Sequence, residues 1–182
     1  MKYCILIFSM SVWMSVSMFA QSDAQPTKPC AQPEAKQFDF WIGEWDLTWK
    51  SPQAGTPEGQ AGKAVNIIKS DLGGCVIAEN FSFADSSFVG RSWSVYNARK
   101  KHWQQTWVDN SGSYLLFTGE FSEGKMILQT QPFQRGDKTF VSRMVFKNIQ
   151  KNSLDWDWQR SADEGKTWAD VWNLHYERKA AE

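Results

Sequence analysis

The feature of this sequence that most limits its fold is a two-residue alternation of large apolar and polar side chains, repeated in short segments. In the clearest segment, Trp45, Leu47 and Trp49 alternate with polar residues. A period of two is typical of a β-strand with one buried face. About ten such segments follow Phe40, most of them separated by tight turns such as Asn110–Gly112. The pattern predicts an all-β fold of antiparallel strands.

A sheet with this many sequential strands is expected to close on itself. An open sheet exposes two edge strands, whereas a closed barrel has none. We therefore expect a single domain over residues 38–179, an up-and-down barrel of about ten strands. A sandwich of two sheets is the alternative. Clear helical periodicity is absent, and only Pro33–Phe40 is predicted to form a short helical turn.

The alternation also predicts which side chains face the barrel interior. The chain contains 11 Trp, 12 Phe and 4 Tyr, and many of these fall in one phase of the strands. The predicted interior residues are Trp45, Leu47, Trp49, Glu79, Phe81, Phe83, Arg91, Trp93, Val95, Trp103, Gln105, Trp107, Trp156, Trp158, Trp168, Asp170, Trp172, Leu174 and Tyr176. The opposite face, with Ser92, Ser94, Asp155 and Asp157, is expected to meet solvent.

Four polar residues share the interior phase with the aromatic residues, namely Glu79, Arg91, Gln105 and Asp170. Because an unpaired buried charge is costly, one interpretation is an internal ion pair with trapped water, which Glu79 and Arg91 could form on consecutive strands. The other is a polar anchor for the head group of a small amphipathic or planar ligand. The candidate ligand contacts are Glu79, Arg91, Trp93, Gln105, Trp107, Asp170 and Trp172.

The first residues have the layout of a secretory signal peptide. Lys2 precedes an apolar, serine-containing run from Cys4 to Ala20, and a polar, turn-forming sequence follows. We expect cleavage after Ala20, or alternatively after Ala24, which leaves an N-terminal arm that ends at residue 37. An uncleaved membrane anchor is the other interpretation, although the run is at the lower limit for a spanning helix. The mature protein is expected to be periplasmic or secreted, and free of the membrane.

Export changes the chemistry expected of the two cysteines that follow the apolar run. Cys30 and Cys75 would lie in a compartment that permits disulfide bonds. A bridge between them would tie the arm to the barrel and stabilise it by roughly 3–4 kcal/mol in the loop-entropy account. The alternative is a buried Cys75 and a free thiol at Cys30.

Charge and histidine content argue against several functional classes. Lys and Arg total 20 and so do Asp and Glu, whereas nucleic acids and anionic membranes attract chains with a basic excess. The only histidines, His102 and His175, are too few for a multi-histidine metal site, and the outward phase of His175 disfavours haem ligation. We expect no metal and no cofactor. The outward phase of Asp155 and Asp157 likewise disfavours a glycosidase pair.

Gly43-x-Trp45, at the start of the first predicted strand, resembles the G-x-W sequence of the lipocalins. In that family the tryptophan closes one end of the barrel, and a basic residue late in the last strand covers it. The resemblance implies this structural role for Trp45 and assigns the covering cation to Arg178, in a contact worth roughly 1–2 kcal/mol. Gly43 lets the backbone enter the strand at a close approach.

A wider set of sequence features runs through the predicted barrel. They are F-D-F-W-x-G-x-W from Phe38, Gly73–Cys75, Gly90–Ser92 before Tyr96-Asn97, Trp103–Asp109, and Tyr176-x-Arg178. Together they resemble a family of exported bacterial proteins known as a domain of unknown function. That family is thought to be calycin-like, related in shape to lipocalins and to the fatty-acid-binding and nitrobindin barrels. The resemblance covers roughly residues 38–178 and implies a fold, but no activity and no catalytic residues.

Ser161-x-Asp163-x-Gly165-x-Thr167-Trp168 matches the Asp-box of sialidase propellers. A propeller repeats the box, and this chain has a single copy. We therefore predict a structural hairpin. In it, Asp163 accepts backbone hydrogen bonds, Gly165 adopts a positive φ, and Trp168 packs beneath the turn.

Three functions are compatible with these features. The leading hypothesis is a non-enzymatic protein that binds a small hydrophobic or amphipathic molecule in the barrel interior. The second is a hydrolase or isomerase that uses Glu79 or Asp170 as a base, although no nucleophile–histidine–acid arrangement supports it. The third is a barrel filled by its own tryptophans that binds a protein partner through its outer surface or its arm.

Overall fold

The structure, a computed structural model, describes residues 30–180 and is all-β, as predicted. The predicted signal peptide (residues 1–20) and the first part of the predicted arm, which spans residues 21–37, lie outside the described residues. Short 3-10 helices occur at Pro33–Lys36, Asp39–Trp41, Gln53–Gly55 and Leu72–Gly74. The strands are β1 (Gly43–Lys50), β2 (Ala61–Asp71), β3 (Val76–Phe83), β4 (Val89–Asn97), β5 (His102–Asp109), β6 (Tyr114–Ser122), β7 (Lys125–Gln129), β8 (Phe133–Arg135), β9 (Lys138–Lys147), β10 (Ser153–Ser161) and β11 (Ala169–Arg178).

The strands form a closed antiparallel barrel. Consecutive strands pair from β1 to β7, β7 pairs with β9, and β9, β10 and β11 lead back to β1. Each of these ten strands therefore has two neighbours, and the predicted closed barrel of about ten strands is confirmed. The extra strand β8 pairs with the start of β9, where Phe133 lies opposite Phe140.

The N-terminal segment closes one end of the barrel. Phe38 and Trp41 are fully buried and pack against Phe146 of β9. A disulfide joins Cys30 to Cys75 and so attaches this segment to the connection between β2 and β3. Because the strands are antiparallel, the connections after β1, β3, β5 and β10 all lie at the opposite end. The described part of this segment, residues 30–42, thus covers one end only.

The inward and outward faces of β4 are the reverse of the prediction. The buried positions of this strand are the small residues Gly90, Ser92 and Ser94. Arg91 and Trp93 are exposed, Trp93 to 46%. A side chain at Gly90 would overlap the Trp107 ring of β5, so the interior here has room only for small residues. The predicted interior positions of Arg91 and Trp93 are wrong.

The start of β11 also departs from the prediction. The register of β10 and β11 shifts here, and such an irregularity breaks the simple alternation of faces. Asp170 is exposed and accepts a hydrogen bond of 2.7 Å from Gln159. Trp168 lies under the guanidinium of Arg143, 3.9 Å from the ring centroid. The interior positions predicted for Asp170 and Trp168 are wrong, whereas Trp172 does pack inside.

Asp157 lies on the outer face of β10, but it is not solvated as predicted. Only 3% of the residue is exposed. Its carboxylate contacts the Lys147 ammonium of β9 and accepts a hydrogen bond of 2.7 Å from Asn173 of β11. Nearby, the exposed His175 ring lies 2.7 Å from the Asp155 carboxylate. Polar side chains therefore link the three strands across the outer face.

Candidate functional site

A cavity of about 220 Å³ lies inside the barrel. Its walls are mainly aromatic and come from both the N-terminal segment and strands on all sides. The lining residues are Trp41, Glu79, Phe81, Phe88, Trp107, Leu115, Phe117, Met144, Phe146, Trp156, Trp158, Trp172, Leu174 and Tyr176. The barrel interior is therefore not completely filled by its own side chains.

Aromatic contacts hold the walls of the cavity in place. The Trp172 ring meets Phe81 and Trp156 edge-on, with centroids 6.0 and 5.9 Å apart. Trp156 in turn stacks on Trp158 at 6.4 Å. Edge-to-face and offset-stacked contacts fix the planes of the rings. The cavity is thus a preformed space with little freedom to collapse.

Glu79 is the acidic residue of the cavity wall, and a buried hydrogen-bond network holds it. Asn66 Nδ2 donates to Glu79 Oε1 at 2.7 Å, and the Ser92 hydroxyl donates to Oε2. The same Asn66 amide lies 3.3 Å from the Tyr176 hydroxyl. These partners come from three strands, β2, β4 and β11, so the barrel itself fixes the carboxylate against the cavity.

Burial changes the acidity of this network. Desolvation raises the pKa of Glu79 from 4.5 to about 7, although the hydrogen bonds from Ser92 and Asn66 and the charge of Arg91 oppose the change. Burial, followed by the nearby Glu79 charge, also raises the pKa of Tyr176. The Glu79 carboxyl is therefore divided between its neutral and ionised forms near neutral pH.

The cavity lining contains no basic side chain among the described residues. Within residues 30–180, no group of three His, Cys, Asp or Glu side chains could hold a metal ion. The same part of the chain has no helix with the length and apolar character needed to cross a membrane. The cavity thus offers aromatic surface, one carboxyl group and a few neutral polar groups to a ligand.

The structure brings together only some of the residues predicted to contact a ligand. Those that line the cavity are Glu79, Trp107 and Trp172. Gln105 is buried but lies outside the lining, and its Nε2 donates to the Ser94 hydroxyl at 2.8 Å. Those on the outer face are Arg91, Trp93 and Asp170.

The bidentate pair predicted between Glu79 and Arg91 does not form. Because β4 is reversed, Arg91 points away from the interior, and its guanidinium donates to the backbone carbonyls of Phe81 and Gly90 at 3.2 and 2.7 Å. The internal ion-pair interpretation of these residues is wrong. Glu79 keeps its interior position without that partner.

Sequence reasoning missed the two residues that hold Glu79. Asn66 could have been found, because it is a polar residue in the buried phase of β2, between Ala64 and Ile68. Ser92 could not have been found in this way, because the neighbouring large Trp93 favoured the opposite phase of β4 as the buried one. Ser92 shares the inward phase of Gly90, where a side chain would overlap the Trp107 ring of β5.

At the closed end, Arg178 covers Trp45 with its guanidinium 4.0 Å from the ring centroid. The Trp45 N–H donates to the Trp41 carbonyl at 2.8 Å, and Arg178 donates to the carbonyls of Ile42 and Phe40. A side chain at Gly43 would overlap the Arg178 guanidinium. These groups are satisfied within the fold, so this end is a structural plug.

The Asp-box forms the turn between β10 and β11. Asp163 accepts hydrogen bonds from the Thr167 amide and hydroxyl at 2.8 and 2.6 Å, which are the main cause of its pKa falling to about 2. Gly165 has a φ of +88°, and its carbonyl accepts a bond from the Trp168 indole at 3.0 Å. All of these contacts are local and describe a structural hairpin.

The fold and the cavity together define a ten-stranded antiparallel barrel with an aromatic interior and one carboxyl group, that of Glu79, in the lining of its cavity. The family model described as "Protein of unknown function (DUF1579)" matches residues 30–178, and the chain belongs to that family. No curated protein matches the chain.

Proposed function

We propose that this protein is a non-enzymatic binder of a small hydrophobic or amphipathic molecule, held in the barrel cavity. The observation that carries the proposal is the preformed aromatic cavity with Glu79 in its wall. Ligand sites are typically apolar, preformed and supplied with a few placed polar groups. A cavity of about 220 Å³ also argues against the filled-barrel alternative.

Indole is a suitable first probe, because it is flat, largely apolar and of the size of the cavity. Calorimetric titration of the purified protein, expressed from its full coding sequence, should show saturable binding. Leu115→Trp should abolish it, because Leu115 lines the cavity and the larger ring would occupy the space. Leu116→Trp is the matched control, since Leu116 is on the same strand with 58% of its surface exposed on the outer face.

Equal binding by both tryptophan variants would place indole elsewhere and reject the cavity as the site. Near-ultraviolet circular dichroism of each variant would establish that its tertiary packing is retained. No binding by the wild-type protein at millimolar indole would contradict the proposed function.

A second function, an isomerase or hydrolase with Glu79 as general base, is favoured by one observation. The pKa of Glu79, about 7, is in the range in which a carboxylate exchanges protons efficiently at neutral pH. A benzyl ketone such as phenylacetone tests this. If the hypothesis holds, the protein accelerates exchange of the α-hydrogens with D₂O, and Glu79→Gln removes the acceleration. Exchange at the buffer rate with the wild-type protein would count against it.

We also propose that the protein acts in the periplasm or outside the cell. The apolar run that ends at Ala20 and the disulfide between Cys30 and Cys75 support export, because disulfides persist in oxidising compartments. Mass spectrometry of protein purified from bacteria should show a chain that begins at Gln21 and contains no free thiol. A retained N-terminus or two free thiols would contradict this.

A further inference from the structure

We propose that the ligand is a small protonated organic amine with an aromatic body, bound with its ammonium group against Glu79 and its body among the aromatic walls. This inference rests on the proposed binding function and specifies the chemistry of the ligand.

The charges around the cavity select the head group. Glu79 is the only acidic residue of the lining, and the lining has no Lys, Arg or His among the residues that the structure describes. A ligand carboxylate would therefore meet an existing carboxyl group and no cation to pair with it. An ammonium group would supply the contacting cation that Glu79 lacks among the described residues.

The walls also suit a cation. Aromatic ring faces attract ammonium groups, and the attraction increases when both are removed from water. Tyr176 and Phe81 both line the cavity that Glu79 faces. Proteins recognise organic ammonium groups with aromatic cages, and here Glu79 adds a carboxyl group to the aromatic wall.

The volume limits the size of the body. An engineered protein cavity of about 150 Å³ binds benzene, so a cavity of about 220 Å³ has room for roughly nine non-hydrogen atoms. Phenethylammonium has this size. Long-chain fatty acids and sterols are too large.

Three probes of almost equal size test the head-group preference, namely phenethylammonium, 2-phenylethanol and phenylacetate. Calorimetric titration of the full-length expressed protein at pH 8 should give an affinity for phenethylammonium at least tenfold higher than for 2-phenylethanol, and no binding of phenylacetate. Glu79→Gln should reduce the affinity for the amine at least tenfold and leave that for the alcohol within threefold. Glu120→Gln is the control, because it removes one negative charge from an exposed position of β6.

A pH series on the wild-type protein gives a test that needs no variant to fold. Two other titratable or charged groups act on Glu79: Tyr176 of β11 lies in the same hydrogen-bond network, and the charge of Arg91 acts from the outer side of β4. Burial raises the pKa of Tyr176, so its hydroxyl stays neutral between pH 6 and 8. With a pKa of about 7, Glu79 becomes mostly ionised over this range, so the affinity for the amine should rise about tenfold.

The outcomes separate this inference from the function on which it rests. If 2-phenylethanol or phenylacetate binds as tightly as phenethylammonium, or if Glu79→Gln leaves the amine affinity unchanged, the amine inference is wrong but the binding function stands. If none of the three probes nor indole binds to the wild-type protein, both are wrong.

Discussion

Glu79 and Asp157 are buried to a similar degree, but the barrel gives them different surroundings. Their exposed fractions are 7% and 3%. Asp157, on the outer face, contacts the Lys147 ammonium, whereas Glu79, on the inner face, has only neutral hydrogen-bond partners among the described residues. Among the described residues, the fold places a cation in contact with the carboxylate that links strands, whereas the carboxylate of the cavity wall is acted on only by the non-contacting charge of Arg91. Ionisation of Glu79 is therefore expected to cost stability in the free barrel, because burial raises its pKa.

The largest expected effect that tests the difference between Glu79 and Asp157 is the pH dependence that Glu79 gives to the free energy of unfolding. Its pKa is about 7 in the folded protein against an ordinary value of 4.5, so the folded state holds the proton more tightly. The stabilising contribution is complete below pH 4.5 and is lost as the pH rises through 7. At about 1.4 kcal/mol for each pH unit between the two values, the loss is about 3 kcal/mol.

Glu79→Gln should remove this component, because glutamine stays neutral at every pH. Urea unfolding of both proteins between pH 4 and 8 measures the free energies of unfolding. The control Glu120→Gln should keep the wild-type pH dependence. If the free energy of unfolding of Glu79→Gln depends on pH as in the wild-type protein, Glu79 ionises without a cost in stability. Its different surroundings would then have no effect on the stability of the barrel.

Removing the cation beside Asp157 should leave it, like Glu79, as a buried carboxylate with no cation in contact. Lys147→Met leaves Asp157 buried and unpaired, which should cost about 2 kcal/mol after allowance for the partial exposure of the lysine. Chemical denaturation at pH 7 measures this loss. Lys179→Met is the control, because Lys179 pairs with an exposed Asp46 and should cost well under 1 kcal/mol. Equal losses in the two variants would show that the burial of Asp157 is unimportant.

The smallest effect concerns His175, which is exposed on the same outer face as Asp157. The hydrogen bond to Asp155 is the main cause that raises its pKa above 6.5. The stabilisation is complete below pH 6.5 and is lost as the pH rises through the higher folded value. His175→Gln should therefore remove a small pH dependence above pH 6.5 and leave that between pH 4.5 and 6.5 intact. A changed pH dependence of stability between pH 4.5 and 6.5 would mean that the ionisations of His175 and Glu79 are coupled.

The barrel could be predicted from the sequence because the alternation of Trp45, Leu47 and Trp49 directly reports a strand with one buried face. Which face of β4 points inward could not be predicted, because it depends on how much space the neighbouring side chains leave inside the barrel. Gly90 must leave space for the Trp107 ring, and only the pairing of β4 with β5 brings these residues together. Large side chains are then excluded from the interior of β4, so Trp93 points outward.

The candidate site was only partly predictable for a similar reason. Glu79 follows from its interior phase among aromatic residues. Its partner Asn66 also has an interior phase, but the contact between the two residues depends on the register of β2 and β3, which places Asn66 opposite Phe81. The interior position predicted for Asp170 was wrong because the register of β10 and β11 shifts, and no residue in that segment indicates the shift. Long-range register and local volume thus decide which polar residues reach the cavity.

The most direct test of the account is a ¹³C NMR titration of the Glu79 carboxyl group, assigned with Glu79→Gln, without and with saturating phenethylammonium. The midpoint should lie near pH 7 in the free protein and fall clearly toward the ordinary glutamate range in the complex, because the ammonium group stabilises the ionised carboxylate. A midpoint near 4.5 in the free protein, or a midpoint that the amine does not change, would contradict it.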